Sequence, residues 1–196
     1  MEPNIEFRKD DENPSLNFGK MKLAEFYSSK LIGDDFNTFI KAVEKMVRTS
    51  DEYKAYIATA YLSYGIGSCA VLGNIKSEAA DIELHHYPYT LYDITRIVCC
   101  KFIMDKIPLT SFSVAMEVLD IHMANKVSFV PLSVTAHQAA HAGKIFIPLN
   151  MTYGDLNGFN QEYYGYIPTD LKMSFNEILK KSNSNELNLD IFIVND

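Results

Sequence analysis

The sequence has no long apolar run. It contains few cysteines, and its basic residues are fewer than its acidic residues. No apolar run approaches the length of about 18 residues at which a membrane-spanning helix is suspected, so we expect no membrane span. The first residues, MEPNIEFRKDDENP, are acidic and lack the apolar centre of a signal peptide, which argues against secretion. Because the 3 cysteines include the adjacent Cys99 and Cys100, we expect no disulfide framework and favour a reducing, cytoplasmic location.

The charge balance and the length narrow the class of protein further. The chain has 25 acidic and 18 basic residues, for a net charge of −7. This balance argues against a protein that coats nucleic acid non-specifically, since such binding depends on neutralising phosphates, although a local nucleic-acid site stays compatible with it. A length of 196 residues, with 47% hydrophobic and 22% charged residues, suits one globular domain or one small core with additional segments.

The periodicity of apolar residues predicts a mostly helical chain with a few short strands. Helical spacing predicts helices over 35–48, 50–64, 90–106, 111–125, 134–142, 157–164 and 174–181. Extended segments are predicted at 68–73, 81–85, 127–132, 144–149 and 187–193. The first two of these segments are short and close in sequence, so we expect them to pair as a hairpin.

The histidines are concentrated in two short motifs. Adjacent His85 and His86 end a predicted strand, where neighbouring side chains point to opposite faces. His137 and His141 lie four residues apart on a predicted helix, so their imidazoles share one face and are able to converge on one metal ion. A separated histidine pair is often just two surface residues, and His122, which continues an apolar helix stripe, is interpreted as a packed core residue.

Two segments that contain these histidines resemble a known family. They are Ile82-Glu83-Leu84-His85-His86-Tyr87-Pro88 and the later segment FVPLSVTAHQAAHAG at 129–143. Together they resemble the HNH endonucleases, whose fold is the ββα-metal finger. The paired histidines are most similar to those of colicin-type DNases, and the run at 87–91 is similar to phage-encoded HNH proteins.

The resemblance covers about residues 68–150 and implies an α+β fold. The chain would be mostly helical around a ββα-metal finger, with a helical insertion at 90–126. A flexible lead at 1–18 and a helical segment at 19–67 would precede the finger. A C-terminal extension at 151–196, with helices and a terminal strand, would follow it.

The resemblance also implies a role for each histidine of the two motifs. His86 would be the general base that activates a water molecule, and His85, His137 and His141 would hold a divalent metal ion. The ion would be Zn, Ni, Mn or Mg, and three imidazoles favour Zn or Ni over Mg. The implied function is metal-dependent hydrolysis of phosphodiester bonds in nucleic acid, with DNA as the expected substrate and RNA left open.

Three further residues enter the hypothesis with weaker support. Lys144 and Arg96 are candidates for phosphate contacts, although a solvated surface role is equally compatible with each. Ser128 occupies the position where the family has its central Asn, nine residues before His137. A serine offers a hydroxyl but no amide at that position.

Two alternatives to the nuclease keep the same fold. In the first, a phage protein has lost catalysis and acts as a structural or partner-binding module, with its flanking helices contacting a protein partner. In the second, the metal site is purely structural in a DNA-binding regulator. If the chain is phage-encoded, the expected location is the host cytoplasm.

Overall fold

The computed structural model describes residues 25–26 and 34–183, and its architecture confirms the predicted α+β fold. The helices are α1 (Asp34–Thr49), α2 (Asp51–Ser63), α3 (Leu91–Met104), α4 (Ser111–Met123), α5 (Val134–His141), α6 (Leu156–Tyr163) and α7 (Thr169–Asn183). The strands are β1 (Glu25–Phe26), β2 (Ile82–His86), β3 (Leu109–Thr110), β4 (Ser128–Ser133) and β5 (Tyr153–Gly154). No helix within these ranges is long and apolar enough to cross a membrane.

Local capping explains where several helices begin. The Ser50 hydroxyl accepts a hydrogen bond from the Tyr53 backbone N–H at 3.1 Å and so starts α2 directly after α1. Thr90 and Asp93 form a capping box at the start of α3. The cap of α4 is Thr110, which forms a capping box with Ser113.

The predicted hairpin of 68–73 with 81–85 is wrong. In the segment 68–73 the Cys69 N–H donates to the Ile75 carbonyl oxygen at 2.9 Å, so the chain turns back on itself there. The neighbouring Ala70 N–H donates to the carbonyl oxygen of Pro131. The true partner of β2 is β4, which follows only after α3 and α4.

The central sheet is antiparallel, with strand order β2-β4-β5. Its register pairs His85 with Val130 and His86 with Phe129. A second, two-stranded antiparallel pair joins β1 to β3. The register of β2 and β4 determines which face of the sheet each histidine occupies.

Two other predictions differ from the structure in detail. The segment 144–149 forms no strand, and α7 begins at Thr169 rather than at 174. Pro168 precedes that helix, and its carbonyl oxygen accepts from the Lys172 N–H at 3.0 Å, a contact that apolar spacing does not signal. The predicted lead at 1–18 and the strand at 187–193 lie outside the described residues.

Two hydrophobic clusters lie on opposite faces of the sheet. The larger is built by α1 to α4 and α6, and it includes Phe129 from β4. The smaller lies between the sheet and α5. Its buried members are Cys69, Ile82, Val130, Leu132, Ala136, Ile145 and Ile147. Because alternate residues of β4 enter different clusters, every residue of this strand is buried.

Gly154 allows β5 to approach β4 closely. Its φ of +95° is rarely adopted by residues with side chains, and a Cβ added there would lie 2.0 Å from the carbonyl oxygen of Val127. We expect Gly154→Ala to lower the free energy of unfolding by at least about 2 kcal/mol, measured by urea denaturation. The matched control is Gly67→Ala, where a Cβ meets nothing within 4 Å and φ is ordinary. Equal stabilities of the two variants would contradict this account.

Candidate metal centre

His85, His137 and His141 form a compact cluster at the junction of β2 and α5. One ligand atom from each lies within 4.8 Å of those from the other two. The Nε2 atoms of His137 and His141 are 3.0 Å apart, and the ring of His85 has its centroid 4.8 Å from each of the other two rings. In the described part of the chain, no other group of three His, Cys, Asp or Glu side chains meets this geometry.

Two elements position the three imidazoles. The helix α5 brings His137 and His141 to one face because they are one turn apart. The strand β2 directs His85 to the face of the sheet on which α5 packs. His85 is 7% exposed, His137 is partly exposed and His141 is exposed, so the cluster reaches from the interior to the surface.

Glu83 extends the cluster by one further contact. It lies two residues before His85 on β2, so both side chains point to the same face. Its carboxylate accepts a hydrogen bond from Nδ1 of His137. With the proton of His137 on Nδ1, its Nε2 lone pair faces His141.

Burial keeps His85 neutral at physiological pH. Desolvation lowers the pKa of His85 to about 4, with smaller effects from His137 and His141. The pKa of His141 is also lowered, by desolvation first and by His137 second. The neutral imidazole is the form that binds a metal ion.

His86 faces away from this cluster. Its side chain is buried on the helical side of the sheet, where its Nε2 lies 3.0 Å from Nε2 of His122 on α4. The ring of Tyr53 stacks on the ring of His86, with the ring centroids 6.1 Å apart. A general base needs access to water beside the ion, and this position provides none.

The pairing of His86 with His122 is a feature that sequence reasoning missed. His122 is fully buried, and its Nδ1 donates to the carbonyl oxygen of Val118 at 2.6 Å. The Nε2 of a neutral His122 is then an acceptor, so Nε2 of His86 carries the donating proton. The spacing along the sequence contained no signal for this contact, because it joins a strand to a helix across the core.

The weaker site candidates have other partners or no contact with the cluster. Both terminal nitrogens of Arg96 bind the Asp170 carboxylate, at 2.6 and 3.1 Å. The Ser128 hydroxyl donates to the carbonyl oxygen of Tyr87 at 2.6 Å and joins the end of β2 to β4. Lys144 is exposed just beyond α5, and its phosphate-binding role stays a prediction.

Comparison with known proteins assigns the chain to a different family from the one its motifs resemble. A family model for bacteriophage G278-like virion proteins matches residues 2–194, which is nearly the whole chain. The chain therefore belongs to a class of phage virion proteins. It is a member of the bacteriophage G278-like virion protein family. No curated protein and no solved structure matches it.

The family assignment overturns the expected HNH endonuclease. The resemblance rested on two short histidine motifs, whereas the matched family spans the helical segments as well. The prediction of nuclease activity is accordingly wrong, and the role of His86 as general base depended on that activity. The burial of His86 against His122 also opposes this role. The expected relation to bacteriophages is supported. The metal ligands, the partners and the cytoplasmic location stay predictions.

The buried pair generates a prediction about acid stability. Desolvation lowers the pKa of His122 to about 4 and that of His86 well below its ordinary value. Between about pH 6.5 and 4 the unfolded chain therefore binds more protons, so stability is complete above this window and declines as the pH falls, by up to about 1.4 kcal/mol per pH unit for each histidine. We expect His122→Gln to unfold with a shallower pH dependence in urea titrations.

The comparison of His122→Gln with the unsubstituted chain has an internal reference at neutral pH. At pH 7.5 the His122 side chain and the glutamine that replaces it are both uncharged, so the stability difference there reports the changed packing and hydrogen bonds without a contribution from protonation. A pH dependence in His122→Gln as steep as that of the unsubstituted chain would contradict the assignment of His122 as a buried neutral group.

Proposed function

We propose that the chain is a structural component of a bacteriophage particle that acts by contacting other particle proteins. The observation that carries this proposal is the match of a virion protein family to residues 2–194. The match includes both the histidine cluster and the helices around it, so one role has to account for both. The chain is made in the host cytoplasm and then enters the particle.

The geometry of the histidine cluster supports a role without phosphodiester hydrolysis. The residue that would activate water, His86, is sealed on the opposite face of the sheet. Arg96, a candidate for phosphate binding, is held by Asp170. The net charge of −7 also disfavours a long contact with a phosphate backbone.

The helices present apolar side chains from which a protein contact could be built. Leu62 at the end of α2 is 84% exposed, and Met123 at the end of α4 is 63% exposed. Single exposed apolar residues are common on protein surfaces. In a particle, however, neighbouring subunits would remove them from water, and each buried side chain would contribute about 1.5–3 kcal/mol to association.

The location of the chain provides the direct test. Particles produced from the genome that encodes it are purified by density-gradient centrifugation, and their proteins are quantified by mass spectrometry. We expect the chain in a constant number of copies per particle, resistant to a salt wash. Abundant chain in infected cells together with its absence from purified particles would refute the proposal.

A nuclease assay tests the expectation that the chain does not hydrolyse phosphodiester bonds. The purified chain is incubated with plasmid and single-stranded DNA in the presence of Mg²⁺, Mn²⁺, Ni²⁺ or Zn²⁺. We expect no cleavage above that of the His86→Ala variant, because His86 has no access to a substrate. Metal-dependent cleavage that the His86→Ala substitution abolishes would contradict this expectation.

A further inference from the structure

We infer that His85, His137 and His141 bind one divalent ion of the zinc type, which links β2 to α5 and keeps one coordination position open. The family assignment names no ligand, and the inference does not depend on the proposed role in the particle. The inference is argued from the distances, the burial and the hydrogen bonds of these three histidines and of Glu83, which contacts His137.

The separations of the three imidazoles match what a shared ion requires. Zinc–nitrogen bonds of about 2.0–2.1 Å in a tetrahedral arrangement place the ligand nitrogens about 3.3–3.4 Å apart. The Nε2 atoms of His137 and His141 are already 3.0 Å apart, and all three ligand atoms fall within 4.8 Å. A bound ion would require the imidazoles to rotate until the three ligand nitrogens reach this common separation.

The contact of Glu83 prepares His137 for this role. A metal-binding histidine usually donates its second ring N–H to a carboxylate or a carbonyl oxygen, which fixes the tautomer and the ring orientation. Glu83 accepts from Nδ1 of His137, so the Nε2 lone pair points into the cluster. The carboxylate is thereby engaged outside the coordination sphere, as an orienting group rather than a fourth ligand.

The composition of the cluster determines the type of ion and the open position. Three neutral imidazoles prefer borderline ions such as Zn²⁺, Co²⁺ and Ni²⁺ over Mg²⁺, which prefers oxygen. The group found among the described residues contains these three histidines and no fourth ligand. The exposed side of the cluster, at His141, therefore leaves a position for water or another small ligand.

The link between the two elements predicts an effect on stability. His85 belongs to a strand, whereas His137 and His141 belong to the helix that follows the partner strand. An ion held by all three binds the folded chain more tightly than the unfolded one. With free Zn²⁺ about 100-fold above Kd, we expect the melting temperature to rise by about 5–10 °C.

The primary test is calorimetric titration of the full chain with Zn²⁺, using protein produced without a histidine tag. We expect one ion per chain. His141→Ala changes an exposed residue and should leave the fold intact, while Zn²⁺ affinity falls by at least about 100-fold, as it should in His137→Ala. Glu83→Gln should weaken binding by about 10–100-fold through the orientation of His137. The matched control, Gln138→Ala, lies exposed on α5 and should bind as the unsubstituted chain does.

Cobalt provides a readout of the coordination itself. Co²⁺ bound by imidazole nitrogens should give visible absorption bands that Zn²⁺ displaces and that His141→Ala abolishes. Azide should shift these bands by entering the open position. Failure to bind any ion at a 1:1 ratio, or unaltered binding in His137→Ala and His141→Ala, would overturn the inference. Bands that azide leaves unchanged would overturn the open position. None of these results depends on whether the chain is found in particles.

Discussion

The antiparallel pairing of β2 with β4 is the constraint on which the rest of the molecule depends. It pairs His85 with Val130 and His86 with Phe129, and so assigns alternate residues of β2 to the two faces of the sheet. Glu83 and His85 are directed to α5, whereas His86 enters the helical core. A slip of one residue in this register would place His85 in the core and bring His86 to the surface cluster. The same pairing separates the two hydrophobic clusters.

The two histidine groups have opposite physical characters although their first members are adjacent in sequence. His86 and His122 satisfy each other inside the core, where an unpaired imidazole would cost free energy through lost hydration. Their depressed pKa values follow from the same burial. The other group opens to the solvent through His141 and has the Nε2 atoms of His137 and His141 directed at one another. This arrangement is suited to binding a cation, whereas the pair of His86 and His122 is enclosed in the core.

The similarity to HNH endonucleases has a physical origin that does not require shared function. A strand that ends in two histidines, and a helix with histidines one turn apart, are simple means of bringing imidazoles together. The resemblance correctly led to an α+β fold and a phage context, but it did not predict which face of the sheet His86 occupies. The whole-chain family match and the burial of His86 corrected the function.

The sequence by itself determined the features that arise within a few residues. Caps at Ser50 and Thr90, the common helix face of His137 and His141, and the divergence of His85 from His86 all follow from local backbone geometry. Only the tertiary structure decided which strand pairs with β2, that His85 meets α5 and that His86 meets His122. These contacts join segments separated by whole helices, and they depend on the packing of all the layers together. Local periodicity contains no information about them, because a strand presents the same alternation to any partner.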